Sequence, residues 1–200
     1  MPQPEEMAML IRRLGGADSG EREKAAREIF RQGEGLARAA TAKWFADAEM
    51  SDLFVHAESD LPQTTVGIAV GQENFNRIRT ANGSPRLADV PPDQDAEEYE
   101  LHFGRGVRLD VLTTQDPQGG GAIARFLQKS GEGIQQVEFL IRGVDRASKV
   151  LSERFGLQPI YPATRAGADG TRVNFFLATT PQGKKVLIEL VEASARSKTK

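Results

Sequence analysis

The chain is 200 residues long, 39% apolar and 27% charged, and contains no cysteine, which excludes disulfides, thiolate catalysis and Cys-based zinc or iron–sulfur sites. A net charge of −2 and a pI near 5.8 speak against a general nucleic-acid surface. No apolar run approaches the ~20 residues of a membrane span, and the acidic start MPQPEEMAM lacks a signal-peptide layout, so a cytoplasmic location without a membrane partner is expected.

Residues 1–58 read as an N-terminal helical extension. MAMLIRRL is short and amphipathic, Asp18-Ser19-Gly20-Glu21 has capping-box spacing ahead of REKAAREIFRQ, and GLARAATAKWFADA gives a third helix carrying Trp44. The run R-x-x-A-A-x-x-x-x-x-x-G from Arg22, followed by an apolar helix, resembles a single HEAT-type repeat. One such unit cannot bury its own apolar face, so the extension is expected to pack on the main domain or on a dimer partner. Were it to hold another protein instead, Trp44, Phe45, Leu53 and Phe54 would form an exposed apolar patch.

The signals then change to short β-rich runs that occur twice. TTVGIAV, from Thr64, answers QQVEFLI, from Gln135, and each is followed by a helical segment with a glycine stop, 72–82 before Gly83 and 145–155 before Gly156. Each half closes with a hairpin, 99–112 and 172–191. The predicted organisation is a module over 63–115, a linking helix over 121–130, a second module over 133–192 and a basic tail over 193–200. The GGG at 119–121 could seat an anion at the start of the linking helix, although a flexible linker is the plainer reading. ATRAGADGTR, 163–172, reads as a loop with two arginines that could close over a ligand.

Aligning the halves places Asp110 on Glu189 and Thr65 on Gln136. Two carboxylates thus hold equivalent places in otherwise apolar strands, where an unpartnered charge is costly. Period-2 alternation puts Glu138 on the face of Gln136. A hairpin pairing Phe103 with Val107 sets His102 across from Arg108 and Glu100 across from Asp110. Thr65, Glu100, His102, Arg108, Asp110, Gln136, Glu138 and Glu189 would then line one concave, acidic surface. Such a surface suits a divalent cation, or a small molecule rich in hydrogen-bond donors.

GEGIQQVEFLIRGVDRASKVLSERFGL followed by KKVLIELVE is similar to the vicinal oxygen chelate superfamily, most of all to methylmalonyl-CoA epimerases and glyoxalase-type proteins. Ile123-Ala124-Arg125-Phe126-Leu127, VGIAV and VRLDVL fit the same pattern. The resemblance covers 63–192 and implies an α+β protein of two tandem βαβββ modules around a shared cleft, working as a homodimer. It also implies a divalent metal on four residues. Position by position, the family's two histidines are Thr65 and Gln136 here, its Glu or Gln ligand is Asp110, and its terminal glutamate is Glu189. With Asp110, Gln136 and Glu189 as metal ligands the set is oxygen-only, which leans toward magnesium, calcium or manganese. The first expectation is a divergent small-molecule-binding protein with a degraded metal site, in which Thr65, Glu100, His102 and Arg108 contact the ligand. The alternatives are an isomerase or lyase with Glu189 and Glu138 as acid and base, and an interaction module. Asp89 of LADVPP matches a family loop carboxylate.

Overall fold

The computed structural model describes residues 4–56 and 62–192. The predicted basic tail and residues 57–58 of the predicted extension lie outside the described residues.

The extension forms helices α1 (Pro4–Leu14), α2 (Ser19–Ala46) and α3 (Ala48–Leu53). The side chain of Asp18 accepts a hydrogen bond from the Glu21 backbone N at 3.0 Å, the cap its spacing predicts. Asp47 caps α3, accepting from the Met50 N at 2.9 Å. That bond, and then the Arg154 guanidinium, hold the Asp47 carboxyl below its ordinary value of 3.8. The native state therefore binds this proton less readily than the unfolded chain does. Its contribution is in place above the unfolded value and fades as pH falls through the lower native one. Asp47→Ala is accordingly expected to lower the melting temperature at pH 7, with the difference from wild type shrinking at pH values below 3.8.

The two helices predicted between Arg22 and Ala46 are one continuous helix, so Gly33 and Gly35 do not interrupt it. Gly33 is there for space. A Cβ at this position would stand 2.5 Å from Val66 Cγ1, closer than packed atoms tolerate. Alanine is the better helix former by ~1 kcal/mol. Even so, Gly33→Ala is expected to destabilise the protein by about 1–3 kcal/mol through overpacking, as read from a denaturant midpoint.

The chain divides into two compact units. The first comprises the described residues up to Gly33 together with Thr65–Gln135. The second comprises Glu34–Thr64 and the described residues from Gln136 onward. Helical residues thus belong to both units.

In the first unit, β1 (Thr64–Ala69) leads into α4 (Gln72–Ala81), then the hairpin of β2 (Glu97–Phe103) and β3 (Val107–Thr113), then α5 (Ala122–Ser130). The strands lie in the order β2-β3-β1, with β1 parallel to β3. The hairpin turns on Gly104 and Gly106, both at positive φ. Val66, Ile68, Tyr99, Leu101, Leu109 and Val111 are buried on one face of the sheet. On this face the Tyr99 ring meets Phe75 of α4 with centroids 4.7 Å apart, and the Tyr99 hydroxyl donates to the Phe75 carbonyl. At one end of the other face, Ile123 of α5 packs on Ala69 and Leu112.

The second unit follows the same plan with β4 (Gly133–Leu140), α6 (Val144–Phe155), β5 (Arg165–Ala166), β6 (Arg172–Thr179) and β7 (Lys185–Glu192), in the order β4-β7-β6-β5. Its core face carries Val137, Phe139, Phe176, Ile188 and Leu190. Trp44 meets Phe176 edge-on at 6.3 Å, and Phe45 and Phe54 both meet Phe139. The protein is an α+β fold of tandem βαβββ modules preceded by helices. Module one reduces one of its three strands to a backbone bond from Ala88 N to Glu98 O, where module two has β5.

Two expectations need correction. Trp44, Leu53 and Phe54 do not form an exposed patch: they are 2%, 6% and 0% accessible, because the strands of the second unit need a cover. The segment 163–172 is not simply a loop. It contains β5, Arg165 stacks over the Tyr161 ring at 4.3 Å, and Arg172 pairs with Asp145 at 2.5 Å and Glu192 at 3.1 Å.

Candidate functional site

The candidate residues fall on the sheet faces turned away from the buried cores. In the first unit, Gly67 of β1 lies beside Asp110 of β3, and Glu100 of β2 pairs with Asp110 from the other side. Phe103 pairs with Val107 and His102 with Arg108, the predicted register. His102 Nε2 lies 2.9 Å from Glu100 Oε1, and Arg108 Nη1 lies 3.9 Å from the same oxygen. The His102 side chain is 58% exposed, that of Arg108 32%. Thr65 and Asp110 are half-buried. Glu100 thus gathers the His102 imidazole and the Arg108 guanidinium on the open face, and His102 is a surface partner of that carboxylate.

In the second unit, Glu138 of β4 and Glu189 of β7 are register neighbours in a parallel pair, with Phe175 of β6 opposite Glu189. Neighbouring like charges at this spacing repel, and Glu189 is only 8% accessible. A donor is required. Gln136, 6% accessible and two residues before Glu138, supplies one. Its Nε2 donates to Glu189 Oε2 at 2.5 Å and to Glu138 Oε1 at 3.3 Å. One neutral amide therefore bridges two carboxylates.

In this geometry the Gln136 side chain meets both carboxylates through its amide nitrogen. The family's histidine positions hold Thr65 and Gln136, and among the described residues no group of three or more His, Cys, Asp or Glu is placed to hold a metal ion.

Other motif residues have structural work. Glu132 of GEGI accepts from the Gly71 N at 2.8 Å and from Asn74 Nδ2, which anchors the start of α4. At the other glycine cluster, a Cβ on Gly121 would meet Asp95 Oδ2 at 2.5 Å, so the chain's own carboxylate already occupies the start of α5. The anion seat suggested for 119–121 is filled from within. Asp89 is exposed. The aromatic wall beside Glu189, Phe175 with Tyr161 at 5.9 Å, was not anticipated. Placing Phe175 needed the exact pairing across the second hairpin.

The fold resembles that of several solved structures. Methylmalonyl-CoA epimerases are among these structure neighbours. One, from Mycobacterium tuberculosis, is 28% identical with a TM-score of 0.54, and the match covers 71% of this chain and 95% of that one. A selenomethionine methylmalonyl-CoA epimerase is 23% identical with a TM-score of 0.52, covering 72% and 98%. A hypothetical protein of Bacillus halodurans C-125 is 24% identical with a TM-score of 0.53, covering 68% and 96%. The last two speak for the fold alone. The first of the three supports the vicinal oxygen chelate superfamily. No family model matches the chain, and no curated protein does. No helix among the described residues is long and apolar enough to cross a membrane.

Proposed function

We propose that this chain is a divergent vicinal-oxygen-chelate protein that binds a small organic molecule without the superfamily's metal. The observation that carries this reading is the Gln136 amide donating to both Glu138 and Glu189. An amide in that place balances the two carboxylates by hydrogen bonds, as a cation otherwise would by charge. In this reading Thr65, Glu100, His102 and Arg108 offer ligand contacts on the first unit, with Asp110 as an acceptor. On the second unit, Glu138 is an acceptor beside the apolar wall of Phe175. The working assembly is a homodimer in the cytoplasm, checked for its stoichiometry by light scattering.

Calorimetric titration of the chelator-free protein with manganese, nickel and cobalt tests the reading. The expected result is binding far below one equivalent and no thermal shift. Near-stoichiometric binding of any of them would overturn it. The same result would favour the second reading, an isomerase or lyase in which Glu189 and Glu138 exchange a proton with substrate. That second reading draws on the epimerase neighbours, one of them 95% covered by the match.

A further inference from the structure

Away from these faces, the first unit carries a groove of about 610 Å³ between the turn joining α1 to α2 and the outer side of α4. Its lining includes Gly15, Gly16, Arg22, Asn76, Arg77 and Thr80, with two guanidinium groups and no carboxylate. Asp18, the nearest acidic residue along the turn, accepts from the Glu21 backbone N and also feels the Arg22 charge, but among the described residues its carboxylate accepts no hydrogen bond from that guanidinium.

Both arginines are held in place by neutral partners. Arg22 Nη1 donates to the carbonyls of Gly16 and Ala17 at 2.9 and 2.7 Å, and its Nε donates to Asn82 Oδ1 at 3.2 Å. Arg77 Nη2 donates to Asn74 Oδ1 at 2.6 Å, and Asn74 is itself fixed by Glu132. The Nε of Arg77 is buried and finds no acceptor among the described residues. A Cβ on Gly15 would stand 2.8 Å from that Nε, so a glycine is what allows the guanidinium to lie here. None of these hydrogen bonds supplies a negative charge to either guanidinium. Asn76 and Thr80, both exposed, add neutral polar groups at the rim.

We infer that this groove, built by the helical extension on module one, binds the phosphate group of a small organic phosphate. Two planar guanidinium forks beside bare glycine backbone match the tetrahedral, multiply charged oxygen cluster of a phosphate. Asn76 and Thr80 at the rim would add neutral hydrogen-bond donors to the same phosphate oxygens. The inference does not rest on the metal-free reading of the strand faces.

The test is calorimetric titration of the full chain with pyrophosphate, alongside Arg77→Gln and Thr80→Val variants whose melting temperatures are recorded first. Saturable binding is expected in the wild type, weakened at least about tenfold by Arg77→Gln and by a smaller factor in Thr80→Val. Thr80 is exposed, so its variant keeps the test open should Arg77→Gln fold poorly. Absence of saturable binding in the wild type would overturn the proposal, as would unchanged affinity in the folded variants.

Discussion

Removal of residues 1–56 is expected to unfold what remains, with loss of the far-ultraviolet helical signal and of a cooperative melting transition. The helices bring Ile11, Leu14 and Ile29 to the first unit and Trp44, Met50 and Phe54 to the second, all of them at most 2% accessible. Burying such a side chain stabilises by about 1.5–3 kcal/mol. Several together match the ~5–15 kcal/mol by which a domain is stable at all. The deletion would also strip the Phe139 and Phe176 face of its aromatic cover. Trp44→Ala isolates part of the effect. It is expected to cost about 3–5 kcal/mol by leaving a cavity against Phe176. A truncated chain that melts cooperatively near the wild-type temperature would show that the helices are a dispensable appendage.

The strand order within each hairpin was legible because glycine turns and period-2 alternation fix register, which is why His102 falls opposite Arg108 and Glu100 opposite Asp110. Helix ends were legible for the same local reason: Gly156 sits at φ 66 after α6, where a left-handed residue closes the last turn. What local pattern could not give was the reason for Gly33. In sequence it reads as a stop between helices, and only the approach of Val66 shows it to be a packing residue. The burial of Trp44 and Phe54 was hidden likewise, since an apolar stripe does not say what covers it. The role of Gln136 was half legible. The internal repeat singled the position out, but whether its amide oxygen or nitrogen faces Glu189 depends on side-chain geometry.

That geometry makes Gln136→Leu the most informative single change in the candidate site. The leucine fills similar space and removes an amide that donates to both Glu138 and Glu189. Hydrogen bonds to charged groups are worth about 1.5–3 kcal/mol, so a loss of about that size is expected in urea unfolding. Glu189 keeps other interactions, which bounds the cost to the lost bond. A double-mutant cycle with Glu189→Gln separates this from simple repacking. With the carboxylate already neutral, the same leucine is expected to cost less, giving a coupling of about 1–2 kcal/mol. Gln136→His adds the other half of the argument. An imidazole can still donate to Glu189, and it also restores a nitrogen ligand where the superfamily has one. Nickel or cobalt binding gained by this variant and absent from the wild type would support the proposed metal-free reading. A coupling near zero would mean that the amide does not balance the two carboxylates, and the metal-free reading would lose its physical basis.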